Sequence, residues 1–448
     1  MIALVLCVLA FALCYWAGKY SLGRGLVVLL FFGYLYGILR ANLLMTASHF
    51  IFDAAVLGFY LSQLISAKSR KPSSNSAALN FWVGILLLWP AIVLLFPFQP
   101  FLVSLVGFRS ATIFLPMLLL GARLREKDLV EICWGLVALN LMTGGFAAAE
   151  YFLGLPRFFP ISPVTRIIYA SGDVAGGFFR IPATFVHAHA YGSTMALTLP
   201  FLLGFWSQLR NRYLRWLAVS GVLAALLGVL LSAARLCFLM GALSVVASLF
   251  TTRMSMGRRF TFLLILVGLA GFTLGQERLQ RFKGLTDTDF VADRIAGSVN
   301  RGFLEILAEY PMGNGLGGGG TSMPYFLEGE VRNPIGQENE YTMILAEQGV
   351  FGLLFWVAFI MWFFARAPIA FAKGPWDSTR RIGWCVAGAG VGTAWIGIGM
   401  LNSIPATVLL LLVMGWTVTP HAMEHQPQPG KGAFHRFRYR PESVPTVS

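Results

Sequence analysis

Apolar runs of helix-spanning length follow one another along nearly the whole chain, separated by short polar stretches. A helix of about 20 apolar residues crosses roughly 30 Å of hydrocarbon, and it satisfies its own backbone polar groups in lipid. The pattern predicts thirteen spans, near 2–18, 25–39, 47–66, 79–97, 101–121, 129–152, 186–206, 214–231, 235–251, 260–275, 342–364, 382–401 and 404–419. The expected fold class is therefore an all-α polytopic membrane protein of about 12–13 transmembrane helices. Two bundles of spans, 1–275 and 342–419, flank one long polar segment.

The charges between the runs orient this arrangement. Lys19 and Arg24, Lys68 to Lys71, Arg123 to Lys127, Arg210 to Arg215 and Arg253 to Arg259 all fall on one side of the predicted bundle. So do Arg366, Lys373, Arg380, Arg381 and the basic residues of the tail after Pro420. Basic loops stay cytoplasmic, so the N-terminus is expected outside and the tail inside. With 57% hydrophobic and 12% charged residues in 448, the net charge of +14 reads as this signal plus contact with anionic lipid heads. No basic-aromatic nucleic-acid module is evident. The first run lacks a basic leader and reads as a retained span. Cys7, Cys14, Cys133, Cys237 and Cys385 all fall inside spans, which argues against a disulfide framework.

Two external segments are too long to be turns. Residues 153–185 carry Arg157, Arg166, Asp173 and Arg180 among Gly, Pro and aromatic residues. Residues 276–341 hold half of the chain's 20 acidic residues. In that segment Ile295, Val299, Phe303, Ile306, Leu307 and Tyr310 recur at helical spacing, predicting an amphipathic helix on the membrane face that Pro311 stops. Gly313, Gly315 and Gly317–Gly320 then predict a flexible turn that lets backbone approach a bulky substrate. The tail, 420–448, is expected to be a disordered cytoplasmic segment.

Charge near the membrane usually faces a cavity. Arg235 follows Leu230-Leu231-Ser232-Ala233-Ala234 in a very short external turn, where it either snorkels or binds an anion. Arg180 either pairs with Asp173 or joins it. Arg109, inside the fifth span, is expected to be structural, paired to carbonyls or to Glu150. His187 and His189 make too few ligands for a metal site, so His189 is taken as a hydrogen-bonding residue. Glu338-Asn339 stands where the long segment meets a hydrophobic run, and it either caps that helix or presents a base.

Asn339, nine residues, Gly349 and Gly352 together resemble a motif of the O-antigen ligase and polymerase superfamily of bacterial envelopes, with Glu338 where the ligases carry histidine. Arg180 with Pro182 and Phe185, the turn Ser232 to Arg235, and Pro311-x-Gly313-x-Gly315 resemble three further marks of that family. The likeness spans roughly residues 100–365. It implies a GT-C-type fold and transfer or polymerisation of glycan repeats from undecaprenyl diphosphate at the outer face of the inner membrane. The reaction would invert the anomeric centre, without metal or other cofactor. Glu338 would be the base. Arg180, Arg235, Arg294, Arg301, His189 and Asn339 would bind substrate, and an adjacent guanidinium would keep Glu338 ionised. The implied partners are the lipid-linked glycan donor, a glycan or lipid acceptor and membrane lipids, with no nucleic acid. Glutamate in place of histidine favours a polymerase over a lipid A-core ligase. A transporter or flippase for lipid-linked sugars is the rival from another class; it should show inverted repeats and broken helices.

Overall fold

The computed structural model describes residues 1–67, 77–170, 179–251, 257, 259–260, 267–268, 271, 289, 292, 302–319, 323–336, 339–374, 376–395 and 399–420. Among these every regular element is helical. The first group is α1 Ile2–Tyr20, α2 Leu22–Asn42, α3 Ile51–Ala67, α4 Ala77–Val93, α5 Phe101–Thr112 and α6 Pro116–Gly121. Next come α7 Glu126–Leu153, the single turn α8 Arg166–Tyr169, α9 Ala188–Gln208, α10 Arg212–Leu231 and α11 Arg235–Thr251. After the long polar segment follow α12 Phe303–Glu309, α13 Glu340–Ala365, the short α14 Ala367–Ala370, α15 Asp377–Thr393 and α16 Ala406–Val418.

Among the described residues, seven stretches are long and apolar enough to cross a membrane: α1, α2, Thr46–Ser66, Phe101–Gly121, α7, α10 and α13. The chain is thus a multi-pass helical protein, and the thirteen expected spans need revision in detail. The fifth is broken by a turn before Pro116 into α5 and α6, because proline cannot continue the ladder of the preceding turn. The twelfth ends at Thr393, eight residues early, and gives way to a turn-rich loop. The tenth, most of the amphipathic helix and the tail lie outside the described residues.

The seventh expected span, α9, is a core helix. Every residue from Ala188 to Trp206 is buried, against α7, α10, α11, α15 and α16. Its polar side chains explain why it is shielded from lipid. Asn140 on α7 accepts from Tyr34 Oη at 2.8 Å and donates to Thr198 Oγ1 on α9 at 3.0 Å, so three helices share one buried polar ladder. The cysteines lie in α1, α7, α11 and α15 and are free thiols.

The helix ends sort into two groups. At one end, Arg24 pairs with Glu131 at 3.2 Å and Ser378 Oγ donates to Thr251 O at 2.9 Å. This is the end of the basic loops. Arg380 belongs here, yet it is not a solvated loop charge. It is 3% exposed, and its Nη2 donates to the carbonyls of Trp416, Thr417 and Thr419, closing the C-terminus of α16. Arg380→Met should leave those carbonyls unpaired and cost about 2 kcal/mol, read as a lower midpoint of thermal unfolding in detergent.

Candidate functional site

The opposite end gathers the two long polar segments. The strand of chain from Arg180 to His187 lies in a groove between helix ends. Ile181 N–H donates to Leu231 O at 3.4 Å, and Arg180 Nε donates to Ser232 O at 3.0 Å, at the end of α10. On the other side Ile38 N–H of α2 donates to Thr184 O at 3.0 Å, and Ala183 N–H donates to Glu150 Oε2 of α7 at 3.0 Å. Two alanines here take left-handed backbone, Ala183 at φ 50° and Ala233 at φ 48°. Each costs about 1–2 kcal/mol, and the surrounding contacts hold it in place.

These strained turns carry Arg180 and Arg235. Arg235 is the first residue of α11, where the helix dipole opposes a cation. Burial lowers the pKa of the Arg180 guanidinium and the neighbouring Arg235 charge lowers it further, against an opposing influence of Cys237. Two guanidiniums at a positive helix end form a corner that an anion would stabilise.

The two histidines act on backbone. His187 Nδ1 accepts Ala190 N–H at 3.1 Å and caps α9. His189 Nε2 faces Gly399 O at 3.2 Å, which makes it the donor, and Nδ1 then faces Cys237 Sγ at 3.8 Å. His189 therefore ties α9 to the loop after α15.

That loop holds a carboxylate. Glu340, the first residue of α13, is 4% exposed. The N–H groups of Met400, Leu401 and Asn402 converge on it, Leu401 N at 2.6 Å from Oε1, while Oε2 has no hydrogen-bond partner among the described residues. Asn339 takes the capping role: its Oδ1 accepts Tyr341 N–H at 2.9 Å and Thr342 N–H at 3.3 Å, and its Nδ2 donates to Trp395 O at 2.6 Å. Tyr341 stacks on Trp395 at 4.2 Å, fixing the helix start against the end of α15.

Seven residues along the same face stands Glu347, 7% exposed, with Gly319 N at 3.3 Å from its Oε1 and Gly317 N–H also directed at it. The glycine segment is not a flexible substrate loop. Residues 313–319 are buried, and Gly313, Gly315 and Gly317 sit at φ 84–87°. The missing side chains of Gly313 and Gly317 admit the backbone of α13 and α5, and that of Gly315 admits Phe98 and Gln99 just before α5. α13 itself breaks at Gly349, where φ is 68° and ψ −170°. The freed groups are paired again: Val350 N–H donates to Pro311 O at 2.9 Å, Asn314 N–H to Ala346 O at 2.6 Å, and Trp89 Nε1–H to Gln348 O at 2.9 Å.

Of the residues expected from sequence, Arg180, Arg235, His189 and Asn339 gather at this end. Glu338, Arg294 and Arg301 lie outside the described residues, as does Asp173. Glu340 and Glu347 were missed, although two carboxylates seven apart in an apolar helix mark one polar face. Arg40, at the end of α2 with its Nε buried and unpaired, was missed as well. No protein-family model matches the chain, and no curated protein matches it. The assignment of chemistry therefore rests on the residues.

Arg109 does not pair with Glu150. Its Nη2 meets Asp53 Oδ1 of α3 at 2.6 Å, while Glu150 is committed to Ala183. Asp53 is the more enclosed partner, its side chain 8% exposed against 27% for Arg109. Removing one member strands the other's charge. Asp53→Ala should cost about 3 kcal/mol, and the double variant Asp53→Ala/Arg109→Met should recover most of it, measured by thermal unfolding.

Proposed function

We propose that the chain transfers or polymerises glycan units carried on undecaprenyl diphosphate at the outer face of a bacterial inner membrane. The observation that carries this reading is the docking of the Arg180 segment on the Ser232–Arg235 turn, tied through His189 and Gly399 to the buried carboxylate Glu340. A cationic corner and a carboxylate then meet at one end of a helical bundle.

The chemistry needs both. The acceptor hydroxyl oxygen forms a bond to the anomeric carbon, and the bond from that carbon to the diphosphate oxygen breaks. The electron pair leaves with undecaprenyl diphosphate, and the hydroxyl proton passes to a carboxylate at the mouth of α13. Arg180 and Arg235 stabilise the departing charge. Glu338 is the base by motif position. Direct displacement inverts the anomeric centre. Joining the glycan to a lipid A-core acceptor is the same reaction with a different hydroxyl.

One observation favours the second reading, transport of a lipid-linked sugar: the break at Gly349 resembles the discontinuous helices of transporters. Purified protein with a lipid-linked donor separates the two. Extended or transferred glycan in detergent supports the enzyme. Movement of the donor in sealed vesicles, with no new glycosidic bond in detergent, supports the transporter and ends the transfer proposal.

A further inference from the structure

The last turns of α2 are wedged against the Arg180 segment. Ile38 N–H donates to Thr184 O at 3.0 Å, and a Cβ on Gly37 would fall 2.0 Å from Phe185 C, so backbone meets backbone there. From the other side Tyr36 Oη donates to His49 O at 2.9 Å, joining α2 to the turn before α3. Arg40 stands one turn past Tyr36 on this face of α2.

Arg40 is half-buried, and among the described residues no carboxylate pairs with it. Asp53 is committed to Arg109 and Glu150 to Ala183, while the neighbouring Tyr36 supplies only a neutral oxygen. Its Nε is enclosed and unpaired, and both terminal nitrogens remain open to solvent. The dipole of α2 favours a cation at its C-terminus, which explains the place of Arg40 but not its enclosure without a counter-charge. Basic residues are also disfavoured at the end opposite the basic loops.

Arg40 and Arg180 both act electrostatically on His187, and Arg180 acts on His189 as well. Arg40 therefore stands on the side of Arg180 away from His189 and Gly399. Because His187 Nδ1 accepts Ala190 N–H, its Nε2 carries the hydrogen, and no acceptor among the described residues takes it. Two guanidiniums and a neutral N–H lie together here, with no carboxylate to answer them.

We propose that Arg40 is a third guanidinium of the anion site and holds the lipid-side phosphate of the undecaprenyl diphosphate donor. The identity of that donor rests on the glycosyl-transfer reading. The sugar-side phosphate must lie toward Glu340 and the mouth of α13, which His189 adjoins through Gly399, so it falls to Arg180 and Arg235. The second phosphate falls to the outer guanidinium. Each phosphate then has a planar donor fork of its own.

Native mass spectrometry of the full-length protein in detergent, titrated with undecaprenyl diphosphate, undecaprenyl monophosphate and phosphatidylglycerol, tests this. The wild type should bind the diphosphate at least tenfold more tightly than either of the others. Arg40→Gln should lower diphosphate affinity tenfold or more and monophosphate affinity less than threefold, because Arg180 and Arg235 still hold a single phosphate. Arg157→Ala, which removes an exposed charge at the same end, should change neither. If Arg40→Gln does not fold, Arg40→Lys keeps the charge at the helix end without the fork, and should lower diphosphate affinity threefold or more. A merely structural arginine would weaken all three lipids alike, or none. A diphosphate preference that is absent in the wild type, or that survives the substitution, overturns the assignment. So does an equal loss for phosphatidylglycerol, which would make Arg40 a headgroup contact. Binding needs no turnover, so the two proposals fail separately. Loss of the preference in Arg40→Gln without any glycan transfer keeps the site and ends the reaction. Glycan transfer with the preference intact in Arg40→Gln keeps the reaction and ends the site.

Discussion

Gly349→Ala is expected to be severely damaging for a change of one methyl group, because it combines forbidden backbone angles with a backbone clash. At φ 68° and ψ −170° the backbone lies where essentially only glycine is comfortable, a strain of about 1–3 kcal/mol for any other residue. The added Cβ would also meet Met312 C at 2.5 Å and Pro311 O at 2.7 Å, both backbone atoms that cannot swing aside. The cheapest escape is to straighten α13. Ala346 O would then pair with Val350 N–H within the helix, releasing Pro311 and Asn314. With them goes the segment whose Gly317 and Gly319 N–H groups hold Glu347. We expect a loss of about 3 kcal/mol or more in detergent unfolding. Gly145→Ala on α7 is the control. Nothing lies within 4 Å of its Cβ, so it should be neutral or gain up to about 1 kcal/mol. Equal stability of the two variants would mean that α13 is not broken at Gly349.

The same junction shows how far the sequence could be read. Helical class and the positions of most apolar runs followed from hydropathy because lipid leaves the backbone few alternatives. Of the two readings of Glu338-Asn339, the helix cap is seen at Asn339, which begins the helix. What the linear pattern could not show was the break. A glycine inside a helix and a glycine at a break look alike until the partner carbonyl, here Pro311 O, is in place. The glycine segment was misjudged for a related reason: its composition reads as a loose turn, whereas its packing comes from residues over 200 positions away at the start of α5 and just before it, such as Gln99 on Asn314 O. Arg109 was matched to the wrong carboxylate because the choice between Asp53 and Glu150 depends on helix packing. Glu340 and Glu347 were legible as two carboxylates seven apart in an apolar run, which places them on one helix face.

Arg235 carries the second large expectation, and it separates chemistry from architecture. Arg180 has a structural duty, since its Nε holds the segment to Ser232 O; Arg180→Ala should lower both stability and activity. Arg235 stands at the N-terminus of α11, against the dipole, so removing its charge should not weaken the helix. Under the transfer reading Arg235→Ala should cut kcat/KM for the lipid-linked donor by about 10²–10³, the scale of losing one preorganised donor to a developing anion. Arg235→Lys should restore little, because an ammonium keeps the charge but lacks the planar fork that contacts two phosphate oxygens. The unfolding midpoint of both variants, measured alongside, tells a lost phosphate contact, which leaves it at the wild-type value, from a lost structural one, which lowers it. A phosphate-free glycan, which has no leaving group and cannot be transferred, should bind wild type and variant equally, since no diphosphate remains to be held. If Arg235→Ala turned over the full donor at the wild-type rate, the residue would be a snorkelling helix end, and the anion corner would have to be sought at Arg180 and Arg40.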